Sequence, residues 1–474
     1  MSVTLLHNAE IVNEGRRYRG YVLTDGQLIA STGEESALPA DGPDSLNALR
    51  QKADTVIDCR GGMLMPGVID THVHFRDPGL TEKGDIETES RAAVAGGVTS
   101  YVDMPNTWPA TVSREAVDDK IKRASEVSAA NFGFFIGATN DNITELLAAD
   151  YSQVAGVKLF LGSSTGNMLV DDNSTLTRLF AESPALIAVH AEDEAIIRTS
   201  RDRLLDECGG TIPVERHPDV RPREACIEAT RRAIGLARRT GAHLHICHIS
   251  TADELEMIKK AKAEGVSVTA ETCPQYLLFD RNDFDRLGAR IKCNPAIKEA
   301  SDRIALLREL LPGGCIDTIA TDHAPHLLRQ KEGDALTAAS GMPMVQFSLR
   351  AMLELLDTAP QLESIGPERI VELMSHNPAR LLGIDRRGFI REGYYADLVL
   401  LDPVDPSVRP VKITDSDVAG RCGWTPLAGM CLSHNIRLTM VNGAPAYSDG
   451  VFTAPHGQPL RFDAAQKARS QSEA

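Results

Sequence analysis

The chain has 474 residues, 42% hydrophobic and 24% charged, with a net charge of −16 and a sequence pI near 5.3. That length holds one large domain with a smaller companion, or two to three average domains. The acidic balance argues against nucleic acid and anionic membrane as partners, and no run approaches the ~18 apolar residues that span a bilayer. The nine cysteines form no CxxC and no paired framework, and MSVTLLHNAEIVNEG has no basic region followed by a long apolar run. Reduced thiols in a cytoplasmic protein are expected.

Residues 1–64 hold short apolar runs with turns between them: VTLLHNAEIV, YVLTDGQLIAS and TVIDCRGGMLM. These predict β-strands. Residues 33–53 predict an irregular surface segment with one short helix. From residue 65, eight β-rich runs alternate with amphipathic stretches: MPGVIDTHVH, TSYVDMPN, NFGFFIGAT, VAGVKLFL, ALIAVHAE, HLHICHIST, VSVTAETCP and CIDTIATDHAP. Helix-like segments such as EAVDDKIKRASEVSAA and PREACIEATRRAIGLARRTG lie between them. The alternation predicts an α/β fold with a parallel (β/α)8 barrel over residues 65–388. A doubly wound open sheet is the alternative.

After ERIVELMSHNPARLLGI, residues 389–455 return to short β runs with Asn-Gly and Asp-Gly turns. They are expected to pair with residues 1–64 in a small β-sandwich domain built from both chain ends. Residues 456–474 read as a polar tail.

Catalytic groups of such barrels sit at the C-terminal ends of the strands. His72 and His74 end the first run, Asn106 the second, His190 the fifth and His248 the sixth; Lys158 lies in the fourth, and Asp322, His323 and His326 end the eighth. His72 and His74 are two residues apart and share a strand face, so both reach one ion. His243 and His245 share the other face from His248, which is nearest its strand end and is chosen as the ligand; the other two read as packed side chains. An isolated HxH is weak evidence. Imidazoles and a carboxylate on separate strand ends suit Zn²⁺ or a similar divalent ion. Lys158 sits in an otherwise apolar strand. Its plain reading is a lysine that snorkels to solvent. Burial favours the neutral amine of lysine in general, and that amine can react with CO2 to form a bridging carbamate.

At DTHVHFRDPG, MPNT, GVKLF, HAE, CHIST and TDHAPH the chain resembles the amidohydrolase superfamily, and more narrowly the longer dihydroorotase class related to hydantoinases and allantoinases. The likeness runs from about residue 1 to 450. It implies two zinc ions: one held by His72, His74 and Asp322, a second by His190 and His248, with carboxylated Lys158 between them. It implies that Arg76, Asn106, Asn294 and His326 bind the substrate carboxylate and ring. Asn106 and Asn294 also suit turns, His326 a loop, and Arg76 a surface ion pair.

The implied activity is reversible hydrolysis of dihydroorotate to N-carbamoyl-aspartate in pyrimidine biosynthesis, by a metal-bridged hydroxide with Asp322 as general base and acid. The implied partners are that small-molecule substrate, further copies of the chain and a possible pyrimidine-pathway enzyme. Gln275 stands where the class commonly has histidine, and the 339–346 loop lacks an acidic residue often found there. Two rivals remain open: another cyclic amidase, and a scaffold of the same fold that has lost catalysis.

Overall fold

Tight turns set the terminal strands. Asn442-Gly443 and Asp449-Gly450 each place two successive residues at positive φ, which suits two-residue hairpin turns. The computed structural model describes residues 2–162, 168–404, 412–454 and 457–463. Strands β1 (Val3–Asn13), β2 (Arg16–Asp25) and β3 (Leu28–Glu34) form an antiparallel meander. β4 (Thr55–Asp58) and β5 (Met63–Pro66) run parallel to β1. The segment between β3 and β4 carries one short α-helix, Leu46–Lys52, capped by the Ser45 side chain.

The barrel follows: β6 (Val68–Val73), β7 (Val98–Asp103), β8 (Asn131–Phe134), β9 (Ile136–Gly137), β10 (Val157–Phe160), β11 (Ile187–His190), β12 (Leu244–Ile246), β13 (Val268–Thr272) and β14 (Thr318–Ile319). One residue separates β8 from β9. β8 pairs with β7 and β9 with β10, so the two serve as one stave of eight. Every pairing is parallel, and a bridge from Val73 to His323 closes the ring. The predicted barrel is therefore present, with all eight runs as its staves.

The covering helices follow their apolar spacing. Ala225, Ala229, Ala233 and Ala237 recur every fourth residue on the buried face of the helix Arg223–Thr240, which stops at left-handed Gly241. Residues 367–382 form one helix with a π turn, Glu372–His376, in its middle.

β15 (Leu398–Pro403), β16 (His434–Val441), β17 (Ala444–Ser448) and β18 (Val451–Phe452) then join the first sheet. Its order is β18-β17-β16-β15-β5-β1-β2-β3, with β4 beside β1, and β15 meets β5 antiparallel. Leu6, Ile11, Val22, Leu64, Leu400 and Met440 share its core, so both chain ends build one body. The stretch expected to be a polar tail opens with a packed segment. Leu460 and Phe462 are buried against the barrel, and Leu460 N donates to Phe132 O at 2.8 Å. Residues 464–474 lie outside the described residues. No helix among the described residues is long and apolar enough to cross a membrane, and all nine cysteines are free thiols.

Candidate active site

One cavity opens at the C-terminal ends of the staves. His72, His74, Lys158, Phe160, His190, His248, Asn294, Asp322, Ala324, Ser340 and Gly341 line it. It gathers residues from β6, β10 and β11 and from the loops after β12, β13 and β14, as this fold requires.

His72 Nε2 and His74 Nε2 lie 3.3 and 3.0 Å from the same oxygen, Asp322 Oδ1. The proton of each ring is fixed on its far side. His72 Nδ1 donates to Glu271 Oε1 at 2.7 Å, and His74 Nδ1 meets Asn106 Oδ1 at 2.7 Å. Two imidazole lone pairs and a carboxylate oxygen thus converge with no hydrogen between them. A bare cluster of acceptors is repulsive, so a cation fits there. Across the cavity, His190 Nδ1 and His248 Nε2 stand 2.9 Å apart, while His190 Nε2 donates to Glu192 at 2.9 Å. That pair offers a second place for an ion.

Burial, reinforced by the Lys158 charge, holds His72 at about 4 and keeps His190 and His248 below their ordinary values. Neutral imidazole is the form a metal needs. Burial pushes the Asp322 carboxyl up from its ordinary value.

Lys158 does not reach solvent. It is fully buried, its Nζ is 3.2 Å from Cys247 Sγ and lies over the Phe160 ring at 5.2 Å. No carboxylate among the described residues comes within 4.0 Å of it. An unpaired buried ammonium is costly. It lines the same cavity as His72, His74, His190, His248 and Asp322.

Arg76 is also buried, at 2% exposure. Its Nε donates to Pro325 O at 3.2 Å, and its Nη2 lies 3.2 Å from His326 Nε2. No carboxylate among the described residues is within 4.0 Å of the guanidinium. His326 Cδ2 is beside Gly341, on the cavity wall. Asn294 Oδ1 and His326 Nδ1 are buried without a hydrogen-bond partner, so both have capacity for a ligand. Arg76, His248 and Asp322 take positive φ values of 68°, 48° for the aspartate and 41° for His248. Strain of about 1–3 kcal/mol per such residue is characteristic of functional sites.

Sequence reasoning missed the supporting carboxylates. Glu271 also accepts from Thr71 Oγ1 at 3.0 Å and faces His245 Nε2 at 3.4 Å. Glu192 pairs with Arg221 as well as His190. The available signal was a glutamate inside the apolar run VTAET. His323 is a brace: its Nε2 donates to Glu89 at 2.9 Å and its Nδ1 accepts from Met344 N and Val345 N. Gln275 Nε2 donates to Thr321 O, next to Asp322.

The profile of the Amidohydrolase family matches residues 63–445. The chain belongs to the amidohydrolase family. It is 35% identical to a dihydroorotase of Halobacterium salinarum over 402 residues, 84% of this chain and 89% of that one. It is 34% identical to an allantoinase of Streptomyces avermitilis over 459 residues, 95% and 96% of the two chains. The solved L-hydantoinase (dihydropyrimidinase) of Arthrobacter aurescens superposes with a TM-score of 0.88 at 29% identity, covering 97% of this chain and 100% of that one. This amidohydrolase is thus a cyclic-amide hydrolase of the dihydroorotase, allantoinase and hydantoinase group. Its family is generally metal-dependent, in keeping with the His72, His74 and Asp322 cluster.

Proposed function

We propose that this enzyme is a dihydroorotase, interconverting dihydroorotate plus water and N-carbamoyl-aspartate. The supporting observation is Arg76: a buried guanidinium beside the cavity with no carboxylate of its own. Dihydroorotate carries a ring carboxylate that such a fork pairs with. Hydantoin and allantoin carry none. His326 and Asn106 flank that carboxylate, and Asn294 Oδ1 accepts a ring N–H.

His72, His74 and Asp322 would hold one zinc ion, His190 and His248 a second, with carboxylated Lys158 joining them. Zinc bound there supplies Lewis acidity to the amide and lowers the pKa of water from near 15.7 to about 7. Glu271, Glu192 and Asn106 keep the imidazole lone pairs turned inward. Asp322 Oδ1 faces both histidines, which leaves Oδ2 to take the proton of the attacking water and hand it to the leaving ring nitrogen. In the reverse direction Oδ2 takes the proton from the carbamoyl nitrogen.

The likeness to an allantoinase over nearly the whole chain favours allantoin as a second reading. Side-by-side assay of dihydroorotate, hydantoin and allantoin decides between them. Dihydroorotate is expected to give the highest kcat/KM. Arg76→Ala should lower that value by about 30-fold or more, since breaking a buried pair costs about 2–5 kcal/mol, with metal content unchanged. Preference for allantoin or hydantoin, or an Arg76→Ala enzyme within a few-fold of wild type on dihydroorotate, would sink the assignment.

A further inference from the structure

Ser340 and Gly341 form one wall of the cavity, and each of the four carbonyls from Ala338 to Gly341 meets a side chain from outside that segment. Lys292 Nζ donates to Ala338 O. Lys331 Nζ donates to Ala339 O at 2.6 Å, to Gly341 O at 2.7 Å and to Lys292 O at 3.0 Å. His326 Nε2 stands 3.0 Å from Ser340 O. Gly341 N returns a bond to Lys292 O at 2.8 Å. Both lysines are buried, and no carboxylate among the described residues lies within 4.0 Å of either.

A lysine is a costly way to fill space. These two are spent on backbone oxygens of a segment that faces the reacting groups. We propose that Lys331, together with Lys292, is a positioning residue that fixes Ala338–Gly341 as the substrate-facing wall. The inference rests on the cyclic-amide reading of the site and not on which cyclic amide is opened.

Three acceptors around Lys331 Nζ use all three N–H bonds of an ammonium, whereas a neutral amine offers two. Burial presses this lysine down to about 7; Cys293 opposes the shift, and Lys292 and Arg76 add to it. Burial likewise brings Lys292 down to about 8. The other groups facing Lys331 are His326 and the Trp424 ring, 5.8 Å away, with Arg290 over the same ring. The clamp therefore loses a donor as pH rises through neutrality, and wall placement should loosen with it.

The test compares Lys331→Gln and Lys331→Met with wild type on whichever of dihydroorotate, hydantoin or allantoin the wild type opens. Metal content and thermal midpoint are measured alongside. KM should rise about tenfold or more in Lys331→Met and less in Lys331→Gln, which keeps two donors, with kcat within about threefold and metal content unchanged. Wild-type KM should climb between about pH 6.5 and 8.5, and Lys331→Met should lack that climb. If the Lys331 variants fail to fold, Lys292→Gln, which disturbs only the Ala338 bond, carries the same KM test. A KM within twofold of wild type, or a kcat that falls alone in step with the folded fraction, overturns the proposal. A wild type that opens hydantoin but not dihydroorotate refutes the substrate assignment and leaves this test intact.

Discussion

Glu271→Gln should weaken divalent-metal binding by about 10- to 100-fold without disturbing the fold. Burial alone would raise this carboxyl, but His72 and His245 outweigh it and hold it well below the usual carboxylate range. It is therefore an acceptor on both oxygens. Oε1 takes the His72 Nδ1 proton at 2.7 Å, and Oε2 takes the Thr71 hydroxyl at 3.0 Å and faces His245 at 3.4 Å. Glutamine has one acceptor oxygen for these two sides. If its NH2 faces His72, the ring proton moves to Nε2 and the inward lone pair is lost. If its NH2 faces Thr71 and His245, the charge-assisted bond to His72 still becomes neutral. A charged bond contributes about 1.5–3 kcal/mol and a neutral one about 0.5–1.5 kcal/mol. The difference alone corresponds to roughly fivefold to tenfold in affinity, and the tautomer change adds to it. Competition with a chromophoric chelator on metal-stripped protein measures the affinity, with circular dichroism to check the fold. Affinity within twofold of wild type, at an unchanged spectrum, would refute the view that Glu271 sets the His72 lone pair.

Lys158→Ala and Lys158→Arg should both bind fewer divalent ions per chain and lose most turnover, because guanidinium forms no carbamate; a fully metallated, active Lys158→Arg enzyme excludes the bridge. Burial raises Glu192, but Arg221 and His190 outweigh it and hold the carboxyl at about 2 against an ordinary 4.5. A depressed carboxyl stabilises fully above its unfolded value, and that stability fades as pH falls toward the folded one. The stability gap between metal-stripped wild type and Glu192→Gln should therefore be flat above about pH 5. It should narrow below about 4.5 by up to about 1.4 kcal/mol per pH unit; urea midpoints that show a gap unchanged by acid contradict this. Gly341 has φ +133°, and a Cβ there would lie 2.6 Å from Ala324 O and 3.1 Å from His326 Cδ2. Gly341→Ala should raise KM severalfold more than it lowers kcat, and steady-state kinetics showing KM unchanged would count against the close packing of this wall.

The barrel was readable because each stave is a short apolar run that stops at a polar residue. His72, Lys158, His190 and Asp322 interrupt or end such runs, so their position alone suggested one shared end. The face-alternation argument for His248 has a different basis in the structure. β12 ends at Ile246, and His248 lies beyond it at φ +41°, where strand parity no longer applies. Lys292 and Lys331 were not legible, since RIKCNP and RQKEG read as ordinary polar surface. Only the packing of the loops after β13 and β14 against each other buries them. Leu460 and Phe462 were hidden for a similar reason: two apolar residues in a polar stretch show no period, and their partners on β8 are more than 300 residues away.

The join between β5 and β15 bears on how the chain is made. Met63–Pro66 emerges from the ribosome roughly 330 residues before Leu398–Pro403. At about 5–20 residues per second, that interval is roughly 20–70 s. Throughout it β5, all four of whose residues end up buried, presents an open strand edge toward solvent and neighbouring nascent chains. An open apolar edge is a template for wrong pairing. Changes that slow elongation between the two strands should therefore reduce soluble yield without altering the finished enzyme.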